Sequence, residues 1–324
     1  MRQKILTDNA KRYFFRLWLR RLRLPAVILL VLIVALVSAF YPFYAILPGL
    51  DTPAREEGEL RVHFLGVGEG DCAVVEFPDG AVVVIDAGDG GFRRTALIMR
   101  YIKGLAYRSL AYIVTHADLD HYGGFEYLIA TLGADALYLP VLDGGGLAYK
   151  KLLSIAERAP FPVTRLSRYG TIKNASGAYM VCISPYSVED TNENDASAVL
   201  YLAYEGVRFL FCADITAVRE RRLMRDYALD KHIFDCGDCA VRLEGIDFLK
   251  VSHHGSAYSS SGEWLALLSP AYAVLTSGAG NRYHHPTLQA AARLDAAGSK
   301  VLRTDELGNI VVSVRDGTYT VKIN

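Results

Sequence analysis

The sequence predicts an α/β fold of packed mixed sheets with helices outside, preceded by one transmembrane helix. Three observations carry that reading. Short apolar runs are joined in some places by tight turns and in others by helical stretches. That mixture needs both antiparallel and parallel pairing and excludes a purely parallel dinucleotide fold. A long uncharged run stands behind a basic arm near the N-terminus. Six of the eight histidines fall in three tight groups: His116 with His121, His253-His254 and His284-His285.

Residues 1–23 form the basic arm, in which Arg2, Lys4, Lys11, Arg12, Arg16, Arg20, Arg21 and Arg23 face one acid, Asp8. The uncharged stretch from Leu24 to Leu50 follows. It exceeds the ~20 residues a helix needs to cross a bilayer and the ~7 to 15 apolar residues of a secretory leader. Being apolar all round, it has no polar face to show to water. The expectation is a transmembrane helix over 24–47 with the lipid bilayer as its partner. The positive-inside bias puts the N-terminus in the cytoplasm, making a single-pass protein of the cell membrane whose main domain is extracytoplasmic. Residues 48–59, polar and broken by Pro53, read as a linker, and 60–324 as the main domain.

Within that domain, strands are predicted at 60–65, 72–77 and 81–85, the last two joined through Pro78-Asp79-Gly80 as a hairpin. A helix over 95–105, a strand at 111–114 and a helix over 124–132 follow. Later strands are predicted at 178–183, 198–204, 207–212, 248–251, 271–276, 310–314 and 319–323, with helices over 216–226 and 288–297. Gly66, Gly68 and Gly70 do not match the dinucleotide fingerprint, since no glycine-opened helix follows them. Removing the arm's eight basic residues and one acid from totals of 35 and 35 leaves 27 against 34, a net negative domain. A long basic footprint for gripping nucleic acid backbone is therefore missing, apart from a modest cluster at Arg219, Arg221, Arg222 and Arg225.

The segment T-H-A-D-L-D-H-Y-G-G places His116, Asp118, Asp120 and His121 directly after an apolar strand. His116 and Asp118 can reach one metal from a turn, while Asp120 and His121 turn toward a second. Structural zinc sites close with Cys and His, whereas this mixture of carboxylate and imidazole suits two divalent ions that activate water for hydrolysis. Asp214 follows an apolar strand and can bridge two ions, with a helix N-cap as the alternative. Asp86, ending a strand, is placed to hold the other nitrogen of a ligand histidine. Asp71 lies in a glycine-flanked loop that brings it near the metals or orients a water. His284 is read as a last ligand or as a donor to the substrate. Cys72, Cys182 and Cys212 fall in strands as small core residues, and Cys236 with Cys239 is a local disulfide, a redox pair or two free thiols.

These motifs resemble the metallo-β-lactamase superfamily, and within it the hydrolase domain of the ComEC/Rec2 competence family. The likeness runs through H-F-L-G-V-G-E-G-D at 63–71, I-D-A-G at 85–88, the His116 to His121 motif, N-D-A-S at 194–197, F-C-A-D-I at 211–215, K-V-S-H-H-G-S at 250–256 and H-H-P at 284–286. It implies an αββα sandwich of two mixed sheets. It also implies metal ligands at His116, Asp118, Asp120, His121, Asp214 and His253, with Asp214 bridging. Asn194, Ser197, His254 and His284 then face substrate, and Asp120, Asp71 and His284 serve catalysis. Zinc is the first choice for the two ions because of its imidazole preference, and the carboxylate share leaves manganese open.

The expected function is that of a membrane-anchored metal-dependent hydrolase acting outside the cytoplasm on a phosphodiester, in an envelope polymer or a nucleic acid. One alternative is an extracellular nuclease serving DNA uptake. Another is a non-catalytic surface module that keeps the fold, suggested by Gly66 and Glu69 standing where the family usually has Asp and Gln.

Overall fold

The computed structural model describes residues 25, 27–32, 49–50, 52–185, 193–235 and 239–323. Within the compact unit Gly49–Asn324, the strands in chain order are β1 (Leu60–Phe64), β2 (Ala73–Glu76), β3 (Ala81–Ile85), β4 (Ser109–Ile113), β5 (Ala136–Leu139), β6 (Val163–Arg165), β7 (Thr171–Ala175), β8 (Ala178–Ser184), β9 (Val199–Tyr204), β10 (Val207–Phe211), β11 (Phe234–Asp235), β12 (Ala240–Val241), β13 (Phe248–Lys250), β14 (Tyr272–Leu275), β15 (Lys300–Arg303), β16 (Ile310–Arg315) and β17 (Thr318–Ile323). An eight-stranded sheet runs β17-β16-β1-β2-β3-β4-β5-β6 and a seven-stranded sheet runs β15-β14-β13-β10-β9-β8-β7, with β11 and β12 as a small separate hairpin.

Period-two patterning divides each strand between two cores. In the first sheet Val62, Phe64, Val75 and Val83 face inward, meeting Met180, Leu200, Phe209 and Phe248 of the second sheet. The alternate residues Val74, Val82 and Val84 pack outward against Ile98, Met99, Ile102 and Phe125 of covering helices. The second sheet repeats the arrangement, with Tyr201, Leu210 and Leu249 against Leu223, Trp264 and Leu294. Each sheet is therefore buried on both faces, and the order helix, sheet, sheet, helix follows. The two mixed sheets with outer helices agree with the predicted sandwich.

Among the elements that the sequence reading did not assign are β5, β6, β7, β15 and the helices Leu147–Glu157 and Gly262–Leu268. All three residues of β6 are exposed, so no buried face marked it. Cys72, Cys182 and Cys212 are buried, as expected of small core residues, whereas Cys236 lies outside the described residues.

The expected transmembrane helix needs correction. Among the described residues no helix is long and apolar enough to cross a membrane. Of the predicted span 24–47, only residues 25 and 27–32 are described, and they are helical. The rest of that span and the arm 1–23 lie outside the described residues. Bilayer partnership, single-pass placement and membrane anchoring of the hydrolase therefore have no support in the structure.

Candidate metal centre

Parallel pairing sets the site. Because β3 and β4 are parallel, and β10, β13 and β14 are parallel to one another, their C-terminal ends lie along one edge of each sheet. Such crevices at strand ends are where open α/β sheets gather their ligands. Turns after β3, β4, β10, β13 and β14 deliver Asp86, His116 to His121, Asp214, His253-His254 and Thr276, and the loop from β1 to β2 adds Asp71. Gly70 (φ +118°) is required there, since a Cβ would stand 2.3 Å from the Asp120 carbonyl oxygen, where the Asp71 N–H donates at 3.1 Å.

Asp71, His121, Asp214 and His254 are all buried and place one ligand-capable atom each within 4.8 Å of one another. Hydrogen bonds fix which nitrogen each ring turns inward. The His254 Nδ1 lies 2.8 Å from the Thr276 carbonyl oxygen, which can only accept, so Nδ1 carries a proton. The Asp86 carboxylate holds Nδ1 of His121 at 2.8 Å. Thr115 Oγ1 donates to Asp86 at 2.8 Å, leaving its lone pairs for Nδ1 of His116 at 3.1 Å. Nε2 of His116, His121 and His254, together with Oδ1 of Asp214, is thereby left buried without a hydrogen-bond partner. Buried polar atoms are rarely orphaned, and a group of these four suits a divalent cation. The centre therefore holds a ligand set for one or two such ions, the equipment of a metal-dependent hydrolase.

Electrostatics reinforce the fit. Burial alone would raise the Asp214 carboxyl, but the charges of His121 and His254 carry it well below its usual value. Burial would likewise lower His254, yet Asp214 and Asp71 push it up to about 10, and Asp214 and Asp86 raise His121 well above 6.5. Without a cation, protons therefore occupy the nitrogens a metal needs. The imidazolium contribution to stability is complete below the ordinary 6.5 and disappears as pH rises through about 10. Metal uptake should expel protons across that window, with affinity rising with pH. Calorimetric titration in two buffers of different ionisation heat at about pH 8 should give different apparent enthalpies, and equal ones would contradict this assignment.

Of the residues singled out from sequence, His121 is fully buried and Asp120 is one-third exposed, with its Oδ2 3.5 Å from His254 Nε2. Asp118 lies at the edge, 3.6 Å from His116 Nε2. Asp214 is not a helix cap: Thr216 caps Ala217–Leu229 through its side chain, and Asp214 Oδ1 stands 3.3 Å from His121 Nε2. Both His253 (φ 50°) and His254 (φ 51°) are left-handed, so this segment is a tight turn and not an extended one. Adjacent side chains then reach the same carboxylate, each Nε2 lying 3.7 Å from Asp214 Oδ2. Strained backbone of this kind costs of order 1–3 kcal/mol per residue and gathers at functional sites.

Asn194 closes a turn by accepting the Ser197 N–H at 3.0 Å, and Ala198 ties that turn to the Thr115 carbonyl at 2.9 Å. Ser197 is buried with an unpartnered Oγ. His284 is exposed, and its neighbour His285 is the one that turns inward, its ring 5.7 Å from His253 and 6.5 Å from His254. Burial and the nearby His254 and His253 hold His285 down at about 4. Sequence reasoning also missed Lys250, although it stands in the K-V-S-H-H-G-S motif. Its buried ammonium pairs with Asp71 and lies 4.0 Å from Asp214 Oδ1. The other Asp71 oxygen accepts from Thr276 Oγ1.

Asp86 takes the place expected of it behind His121. Asp86→Asn should weaken metal affinity by roughly 10- to 100-fold, the usual cost of losing an outer partner of a ligand histidine. Competition with a fluorescent chelator would measure this, and unchanged affinity would remove Asp86 from the design.

The sequence profile described as "Metallo-beta-lactamase superfamily" matches residues 65–278. The ComE operon protein 3 of Bacillus subtilis is 28% identical over 213 residues, 65% of this chain and 26% of that protein. The competence protein ComA of Neisseria gonorrhoeae is 27% identical over 255 residues, 79% of this chain and 32% of that one. This chain thus spans about a third or less of the length of these curated relatives. Among solved structures, Igni18, a metallo hydrolase from the archaeon Ignicoccus hospitalis, shares the fold with a TM-score of 0.51 at 14% identity, over 79% of this chain and 99% of its own. With the profile covering most of the domain and the ligand turns at its strand ends, the chain belongs to the metallo-β-lactamase superfamily.

Proposed function

We propose that this chain is a nuclease that hydrolyses a DNA phosphodiester in the service of DNA uptake, using two divalent ions, zinc first and manganese as the alternative. The observation that carries this reading is the buried, orphaned Asp214 carboxylate between the Nε2 atoms of His121 and His254. An anionic centre of mixed carboxylate and imidazole suits ions that hold phosphate oxygens, and likeness to the two competence relatives over 65% and 79% of the chain supports DNA as the source of that phosphate. Membrane anchoring has no part in it. The negative balance of the domain is compatible with a small contact area, because bound cations supply the positive charge. Of the four clustered arginines, Arg219 is buried while Arg221 and Arg225 are exposed.

Bound divalent ions supply Lewis acidity and lower the proton affinity of water. The residues do the rest. Burial would raise Asp120, but the neighbouring His254 imidazolium, 3.5 Å away, and the charge of His121 bring it to about 2. It stays anionic at neutral pH and orients an attacking water by accepting its hydrogen bond. His285, depressed to about 4, remains neutral and offers an acceptor nitrogen at the mouth of the site. Asn194 and Ser197 are assigned to substrate, and His116, Asp118 and His253 to the ligand set.

Chelation should abolish cleavage of single-stranded DNA, and reconstitution with zinc or manganese should restore it. Metal analysis after reconstitution should find close to two ions per chain. Cleavage of wall polymers such as teichoic acids with no cleavage of DNA would refute the nuclease reading.

A further inference from the structure

The loop from Gly278 to Thr287 forms one wall of the centre, and its own hydrogen bonds organise it. Asn281 is its internal brace, 9% exposed. Its amide nitrogen donates to the carbonyls of Gly278 at 2.9 Å and His285 at 2.5 Å. Its amide oxygen accepts the backbone N–H of Tyr283 at 3.2 Å and of His285 at 2.9 Å. From the opposite side Glu69 Oε1 accepts the Arg282 N–H at 2.9 Å, and Glu69 Oε2 lies 3.6 Å from Arg282 Nε. The far end is tied to the histidine turn, where the Thr287 N–H donates to the Gly255 carbonyl at 2.9 Å.

This braced loop presents a row of rings. Tyr283 stacks on His285 with centroids 5.8 Å apart and planes at 26°, and His285 stacks on His254 at 6.5 Å and 23°. Tyr283, the outermost, is 54% exposed. The Arg282 guanidinium lies 4.6 Å from its ring centroid, and the Arg282 side chain is 72% exposed. Asp120 and His254 line the same pocket as Tyr283 and His285. The row therefore leads from solvent to the inner nitrogen of His254. A planar ligand suits it, since every nucleobase has a π-face and stacks on an aromatic ring with little regard to sequence. An adjacent guanidinium adds attraction for the base or a neighbouring phosphate.

We propose that Tyr283, with Arg282, is a stacking platform for a nucleobase flanking the scissile phosphate, so that the centre takes single-stranded nucleic acid. The inference rests on the nuclease reading and narrows its substrate, because a base still paired and stacked in a duplex cannot lie on Tyr283. Polyol phosphates and lipid phosphodiesters have no such ring to offer.

The test uses the full chain and a labelled single-stranded oligonucleotide in which one abasic site is walked along the strand. Binding is read by fluorescence anisotropy on the metal-loaded chain with phosphorothioate strands that resist cleavage, and cleavage with the unmodified strands. At one position the wild-type chain should prefer the base-bearing strand over its abasic counterpart by about 5-fold or more, the range of base stacking on an aromatic side chain. Tyr283→Ala should erase that difference while Tyr283→Phe and Tyr283→Trp retain it. Arg282→Ala should lower the slope of log affinity against log salt by about 0.7, as for one phosphate contact on a single strand. Equal binding of base-bearing and abasic strands by the wild type, or a preference that survives Tyr283→Ala, would overturn the platform. A preserved salt slope removes Arg282 from it. Cleavage failing on every oligonucleotide while the binding preference holds would overturn the nuclease reading and leave the platform standing.

Discussion

Asp214→Asn is expected to strip the centre of metal and to lower hydrolysis by about 10³-fold or more, equivalent to roughly 4 kcal/mol of transition-state stabilisation. The shape of the side chain is kept, but the charge facing His121 and His254 at 3.3 and 3.7 Å is lost. An amide is a poor ligand for a divalent ion, and it no longer balances the two imidazoles. Metal ions in such sites supply several kcal/mol of charge stabilisation, which sets the size of the loss. Circular dichroism should show a folded chain, and metal analysis after reconstitution should show the deficit. Wild-type metal content with turnover within tenfold of normal would remove Asp214 from the ligand set.

Lys250→Met should destabilise the fold by about 3–5 kcal/mol, because it leaves a buried carboxylate without its cation. The Lys250 side chain is 5% exposed and that of Asp71 7%. Burial would lower Lys250, yet Asp71 and Asp214 raise it above its ordinary value. Asp71 is driven the other way, its burial outweighed by the charges of Lys250 and His254. With Asp71 depressed, its share of stability is present above 3.8 and is lost as pH falls below that value. Denaturant unfolding at neutral pH should show the deficit, and Asp71→Asn combined with Lys250→Met should recover much of it. Additive losses in that cycle would mean that the two groups do not act as a pair.

Much of the site was legible because its chemistry is local. His116, Asp118, Asp120 and His121 occupy one turn after one strand, so spacing alone places them together. Asp86 could be assigned to a supporting role for a similar reason, since a carboxylate ending a buried strand must find a partner. The strands with alternating or continuous apolar residues, β1 to β4, β8 to β10, β13 and β14, were readable from their pattern. β6, exposed along its whole length, carried no such signal. Composition also suggested a membrane span, and among the described residues no helix is long and apolar enough to be one.

Which neighbour of a histidine pair turns inward could not be read from the chain. His284 sits at φ 57°, and that left-handed step leaves it in solvent while His285 joins the ring stack. At 253-254 two successive left-handed residues defeat the rule that neighbours on an extended segment point apart. The pairing of Asp71 with Lys250, and its bond to Thr276 from 205 residues away, was equally hidden. Sequence by itself determined the donor types, their local spacing and the sheet-and-helix alternation, because these depend on neighbours along the chain. Tertiary structure alone decided which donors converge and which cation neutralises them. Convergence depends on parallel strands from distant segments ending at one edge, and on backbone angles set by packing around each turn.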